Sequence, residues 1–244
     1  MEISSDLLRT ITLLRDLDDE ETEGFRSAAV PRNLPRKTAV FREGEEVEAI
    51  YFIVHGLIKT YKTDEKGNEH IVSLLKSGDM FPHTGQFGTN QYPATAETLI
   101  NTRLLAVPIR AFEQILTTKP SIAFKMMGVM GGTIRELQNK LQGFTHRNVE
   151  DRGISLLIRL AEDFGTVLDG GDILIHVPMT HQEIANIIGF TRESVTRLLN
   201  SLCKEGILLS NRQGFIVKDL QALKERICVK ENCSHCRELR LYER

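Results

Sequence analysis

The apolar positions change period repeatedly along the chain, and each change predicts a different kind of element. Between residues 5 and 30, Leu7, Leu8, Ile11, Leu14 and Phe25 are set among acidic and polar positions, which predicts helix, ended by Pro31 and Pro35. From about Thr38 the runs become short and β-like, broken at Gly44, Gly56, Gly67 and Gly78. The stretch from Asp64 to Asn68 predicts a hairpin turn between IKTYKT and HIVSLL, and a further run from Ala94 to Val107 precedes Pro108. Many short strands with regular turns imply a small antiparallel barrel or jelly roll.

A helical period returns at Pro120, a residue that suits the first turn of a helix. Ala123, Met127, Met130, Ile134, Leu137, Leu141 and Phe144 follow at alternating spacings of four and three. This heptad seam runs for about three repeats, the pattern of two helices packing as a coiled coil. An amphipathic helix lying on the barrel is the simpler reading, but the strict alternation favours a partner helix, and a second copy of the chain is the simplest partner. Gly128, Gly131 and Gly132 weaken the helix yet let two backbones approach closely. Residues 150–164 predict another helix, with Ile154, Leu157, Ile158, Leu160 and Ala161 apolar, followed by a turn and the short strand ILIHV.

The segment from Thr180 to Leu202 carries the clearest local signals. Thr180 and Glu183 form T-x-x-E, a capping box at a helix start. Ala185 suits a close helix crossing, and Gly189 supplies a turn residue that tolerates positive φ. Thr191 can cap a second helix whose Val195, Leu198, Leu199 and Leu202 share one face. Arg192, Glu193, Thr196 and Arg197 are left on the other. Two caps around a glycine turn, with arginines in the first turns of the second helix, predict a helix-turn-helix whose recognition helix begins at Thr191. An ordinary amphipathic hairpin would share the stripe and the caps but has no need of outward arginines. Gly206 then ends the helix, ILLS and FIVK make a β-hairpin wing, and Asp219 to Arg226 is a last helix.

Composition alters this picture in two places. The 244 residues, 41% hydrophobic and 26% charged, suffice for two modest cores. The absence of an apolar leader and of any run of about 18 apolar residues makes a soluble cytoplasmic protein with no membrane partner the expectation. A net charge of -2 gives no global sign of nucleic acid, so DNA binding must rest on a local patch. The acidic run DLDDEETEG at 16–24 reads as a solvated helix face. All four cysteines lie after residue 200, unlike a secreted disulfide framework.

A glycine-punctuated β-roll, a long dimer helix and a C-terminal winged helix, in that order, resemble the CRP/FNR family of bacterial transcription regulators over roughly residues 10–225. T-R-E-S-V-T-R at 191–197 matches the family's R-E-x-V-x-R recognition helix, and GxxxxxxYFIxxGLIK from Gly44 matches its β-roll. An arginine can donate twice to O6 and N7 of guanine, whereas a glutamate can only accept, as from cytosine N4. Arg192 and Arg197 therefore suit guanines and Glu193 a cytosine of the opposite strand, and the resemblance implies an inverted repeat of the TGTGA type. Thr180, Thr191, Ser194 and Thr196 complete the candidate DNA-contacting set, and RNA polymerase is a further partner the resemblance allows.

The same resemblance bears on the signal. Members that bind cyclic nucleotides carry a glutamate for the ribose and an arginine followed by Ser or Thr for the phosphate. Here His83 stands at the approximate glutamate position and Pro93-Ala94 where Arg-Ser or Arg-Thr belongs, so no cyclic nucleotide is expected. His83 reads as an ordinary polar loop residue. Cys228, Cys233 and Cys236 supply three thiolates within nine residues, with His235 among them, a set suited to an iron–sulfur cluster or, alternatively, zinc. One Bacillus branch of the family carries a C-terminal cysteine cluster that holds [4Fe–4S], and the placement here is similar with the spacing reversed. A thiol switch and an inert tail are the alternatives, and Cys203 reads as a small buried hydrophobe.

The reading is an α+β chain: a β-roll sensor of the cyclic-nucleotide-binding jelly-roll type over 1–117, a dimerisation helix over 118–147, a winged helix-turn-helix over 148–226, and a cysteine tail over 227–244. Its function is that of a homodimeric DNA-binding regulator governed by redox or oxygen, with no catalytic motif of an enzyme. A small-ligand-sensing module whose winged helix contacts protein, with structural or inert tail cysteines, is the alternative.

Overall fold

A computed structural model describes residues 3–65, 67–83, 90–144, 148–211 and 214–228. The chain divides into two compact units, residues 1–144 and 145–244.

In the first unit, Ser4 caps α1 (Ser5–Arg9) and an Asp18–Glu21 capping box starts α2 (Asp19–Ala28). The single helix expected over 5–30 is thus two, separated by turns that bury Ile11, Leu13 and Leu14. The strands are β1 (Val30–Leu34), β2 (Ala39–Phe41), β3 (Ala49–His55), β4 (Leu57–Thr63), β5 (Glu69–Lys76), β6 (Met80–Phe81), β7 (Thr95–Thr98) and β8 (Thr102–Pro108). They form two four-stranded antiparallel sheets in the orders β1-β8-β3-β6 and β2-β7-β4-β5. Pro31 follows the end of α2, as expected, and lies inside β1, an edge strand, the place where sheets admit proline.

Strand β3 shows why its sequence is almost continuously apolar. Ile50 and Phe52 point to one core with Phe25, Leu105, Val107 and Phe112, while Tyr51 and Ile53 point to another with Phe41, Phe81, Leu104 and Ala106. Successive side chains alternate faces, so a strand covered on both sides reads as an unbroken run. The β4–β5 turn is fixed by Asp64, which accepts from the Asn68 N–H at 2.8 Å, and by Gly67 at φ 83°. On β4, Lys59 is only 4% exposed, and its ammonium lies 2.5 Å from Glu69, 3.2 Å from Glu97 and 4.5 Å from the Tyr61 ring centroid.

Helices α3 (Ile109–Thr118) and α4 (Pro120–Phe144) complete the unit. Helix α4 uses two faces. Ile122 and Met126 are buried against the helical core, with Val129 and Met130 packed beside them, whereas Phe124, Met127 and Ile134 are exposed. Met130 was expected on the coiled-coil seam and instead packs on the roll. The described part of that seam is Ala123, Met127 and Ile134; the side chains of Leu137, Leu141 and Phe144 lie outside what is described.

The second unit contains α5 (Val149–Phe164), β9 (Gly165–Val167), β10 (Ile173–Ile175), α6 (His181–Ile188), α7 (Arg192–Lys204), β11 (Leu208–Asn211), β12 (Gly214–Val217) and α8 (Leu220–Cys228). Its sheet runs β11-β12-β10-β9, so the predicted wing is extended by the ILIHV strand and by β9, which lacks an apolar alternation to betray it.

Candidate nucleic-acid interface

Local chemistry sets both ends of the two-helix motif. The Thr180 hydroxyl accepts from the Glu183 N–H at 3.1 Å while the Glu183 carboxylate accepts from the Thr180 N–H at 2.6 Å. Helix α6 ends at Gly189, whose φ of 74° and ψ of 39° put it in the left-handed region. A side chain there would be strained, which is why glycine ends this helix. Two residues later the Thr191 hydroxyl accepts from the Ser194 N–H at 3.3 Å and opens α7.

Packing then decides which side of α7 faces outward. Val195, Leu198, Leu199 and Leu202 are buried, and four such side chains contribute on the order of 6–12 kcal/mol of gross apolar burial. Helix α5 presses on the same stripe: a Cβ added to Gly153 would stand 2.3 Å from Leu198 Cδ2. Arg152, one residue earlier, donates to the Ile188 carbonyl at 3.0 Å and lies 5.4 Å from the Phe190 ring centroid. It secures the turn between the helices.

The opposite side carries Arg192, Glu193, Arg197 and Asn200, all exposed. Arg197 makes a long hydrogen bond to Ser194 Oγ at 3.4 Å. Thr196 Oγ1 donates to the Arg192 carbonyl at 2.8 Å and lies 2.8 Å from His181 Nδ1. A hydroxyl has one proton, so with that proton on the carbonyl the imidazole must donate through Nδ1–H. Both helices are thereby locked at their outward edge, a feature that lone histidine and threonine codons do not advertise.

The far end of α7 is held differently. Arg226 on α8 donates to Glu150 Oε1 at 2.6 Å and pairs with Glu205, the C-cap of α7. The Arg226 hydrogen bond, with a second from Ser201, holds the Glu205 carboxyl below its ordinary pKa. Sequence reading passed over all three ions because 76 and 21 residues separate Arg226 from its partners.

The sensor positions are only partly in view. His83 lines a cleft of about 110 Å³ with Thr12, Asp79 and Thr133. Of the pair Pro93-Ala94, Pro93 is exposed and Ala94 is buried. Cys203 is half-buried on α7 with a free thiol. Cys228 ends α8, its side chain outside the described atoms, and Cys233 and Cys236 lie wholly outside the described residues. Among the described residues no group of three or more His, Cys, Asp or Glu could hold a metal ion, and no helix is long and apolar enough to cross a membrane.

Two capped helices around a left-handed glycine, followed by a β-wing and presenting arginines outward, define a winged helix-turn-helix DNA-binding module. Residues 31–119 match the cyclic nucleotide-binding domain family and residues 151–226 the Crp-like helix-turn-helix domain. The global nitrogen regulator of Synechocystis is 34% identical over 185 residues, covering 74% of this chain and 80% of that protein. The anaerobic regulatory protein of Bacillus subtilis is 28% identical over 196 residues, covering 80% and 82% respectively. Among solved structures, FixK2 of Bradyrhizobium japonicum superposes with a TM-score of 0.68 at 22% identity, over 81% of this chain and 96% of that one. The chain belongs to the CRP/FNR family of DNA-binding transcription regulators.

Proposed function

We propose that the protein acts as a homodimer that reads a TGTGA-type inverted repeat through Arg192, Glu193 and Arg197. The observation that carries this reading is the division of α7 into a buried aliphatic face and an exposed face bearing those three side chains. Arg192 and Arg197 donate to guanine O6 and N7, and Glu193 accepts from cytosine N4. Thr180, Thr191 and Ser194, at the starts of α6 and α7, meet flanking phosphates, where helix N-termini favour anions. Thr196 serves the same surface by fixing His181 against α7. The second copy joins along Phe124, Met127 and Ile134, apolar side chains of α4 that are 72%, 62% and 54% exposed. RNA polymerase is the downstream partner that this family reading supplies.

The test is titration of a labelled TGTGA inverted repeat against a shuffled duplex of equal length. Matched binding tighter by roughly a thousandfold or more, and weakening steeply between about 50 and 200 mM salt, supports the reading. Equal affinity for the two duplexes contradicts it.

For the signal, the tail thiolates of Cys228, Cys233 and Cys236 are assigned a redox- or oxygen-responsive role, through a [4Fe–4S] cluster or zinc. Their spacing and the likeness to a protein named anaerobic regulatory protein support that assignment. A cyclic nucleotide is not assigned, because Pro93-Ala94 offers no charge to a cyclic phosphate. Absorbance and metal content after purification without oxygen decide the matter: a brown protein with about four irons per chain supports the cluster. Colourless protein without iron or zinc removes both metal readings.

A further inference from the structure

Helix α7 carries one more side chain on the surface assigned to base reading. At about 100° of turn per residue, the buried Val195, Leu198, Leu199 and Leu202 fix which direction from α7 points inward. The opposite direction falls close to Glu193, with Asn200 about 30° to one side of it and Arg197 about 30° to the other. Arg192 lies farther round, so Asn200 stands nearer the middle of the outward face than one of the two arginines.

The polar side chains of this face differ in what they have left to offer. Thr196 donates its hydroxyl to the Arg192 carbonyl at 2.8 Å and lies 2.8 Å from His181 Nδ1. The Asn200 amide is exposed and makes no hydrogen bond among the described residues. It holds an acceptor and an N–H donor side by side, both uncommitted. That pair complements adenine, which shows N7 and N6–H₂ together at the major-groove edge.

Spacing selects the base. A helix rises about 1.5 Å per residue, so Arg192 and Arg197 are about 7.5 Å apart along α7. The two guanines of TGTGA are two steps, or about 6.8 Å, apart along their strand. Asn200 lies about 4.5 Å beyond Arg197, roughly one further step, where the repeat has its adenine. Glu193, Thr196, Arg197 and Asn200 also keep the i, i+3, i+4, i+7 spacing with which a homeodomain helix reads one major groove over two turns.

We propose that Asn200 is a further specificity-determining residue, which reads the adenine of each TGTGA half-site by donating to N7 and accepting from N6–H. The inference rests on α7 being the reading helix, with Arg192 on the first guanine and Arg197 on the second. It adds a means of telling an A·T pair from the others beside the G·C pairs.

The test titrates the unaltered protein, Asn200→Ala and Asn200→Gln against the inverted repeat and against duplexes altered at that adenine in one half-site. The alterations are the other three bases and 7-deazaadenine, which keeps its pairing and N6 but lacks the N7 acceptor. The unaltered protein should lose roughly tenfold in affinity on the base changes and severalfold on 7-deazaadenine. Asn200→Ala should bind the intact repeat more weakly and no longer distinguish these duplexes. Asn200→Gln, with the same amide on a longer arm, should keep part of the preference. Asn200 is exposed, so neither substitution opens a cavity. An Asn200→Ala protein that still penalises 7-deazaadenine as the unaltered one does would overturn the inference. So would an equal loss on every duplex with a shallower salt dependence, the mark of a phosphate contact. Guanine preference that persists while the adenine proves indifferent would sink this inference alone. If the unaltered protein prefers the repeat to no other duplex, the base-reading proposal fails and takes the inference with it.

Discussion

His181 Nδ1 lies 2.8 Å from Thr196 Oγ1, joining the first residue of α6 to the outward edge of α7. The hydroxyl donates its own hydrogen bond to the Arg192 carbonyl, so the bond to the ring is made by the imidazole N–H. Thr196→Val keeps the shape and removes the bond, leaving a half-buried imidazole donor to find water. A loss of about 1 kcal/mol in unfolding free energy of the second unit is expected, together with weaker matched binding. Thermal melts and a DNA titration of the same preparation check it.

The two faces of α4 make opposite predictions for neighbouring methionines. Met127→Glu places a charge on the exposed stripe with Phe124 and Ile134, and should give a monomer by sedimentation with the roll's melting temperature nearly unchanged. Met126→Ala empties a site that is 2% exposed, and should cost about 2–5 kcal/mol of stability with association retained if folding survives. Dissociation by the second change rather than the first would reverse the assignment of faces.

Alkaline pH should weaken the β-roll. Burial disfavours the Lys59 charge, but the hydrogen bonds and charges of Glu69 and Glu97 outweigh it and raise its pKa. A cation with a raised folded-state pKa stabilises fully below its unfolded value near 10.5 and loses that contribution as pH climbs through the folded value. Burial raises Tyr51 and Tyr61 as well. Their neutral forms are favoured by the fold, so the unfolded chain ionises first and the sign is the same. Denaturant midpoints should hold to about pH 9 and fall above about pH 10.5. Lys59→Met should abolish part of that slope and cost about 1–2 kcal/mol near neutrality, discounted from a fully buried pair because Glu69 and Glu97 keep some solvent.

How much the sequence disclosed depended on how local each signal was. Thr180, Gly189, Thr191 and the Val195–Leu202 stripe act within a few residues of one another, so the helix-turn-helix could be placed before any coordinates. Pro31 marked the end of the helical segment, as α2 stopping at Ala28 shows, but gave no sign of β1, because whether a strand tolerates proline depends on its place in a sheet. The heptad count picked out Met127 and Ile134, which are exposed on α4, but placed Met130 with them and missed Ile122 and Met126, whose partners come from α2, α3 and the strands. Arg226, Glu150 and Glu205 have no mutual spacing to read. Long-range ion pairs of this kind are set by the fold and leave no periodic trace.

Arg197→Ala separates base reading from simple attraction to phosphate. On the matched repeat it should cost about 1–3 kcal/mol, with preference relaxed at one guanine per half-site and little change on random DNA. A uniform loss on every duplex, with a shallower salt dependence, would instead make Arg197 a phosphate contact.

The central claim, a two-fold dimer presenting a pair of α7 helices to one face of DNA, is tested most directly by changing the spacing between half-sites. Affinity should be compared for the TGTGA inverted repeat and for the same repeat with half a helical turn inserted at its centre. One dimer should bind the intact repeat, and affinity should fall to nearly nonspecific after insertion, because the two half-sites then face opposite sides of the duplex. Equal affinity for the two duplexes would contradict it.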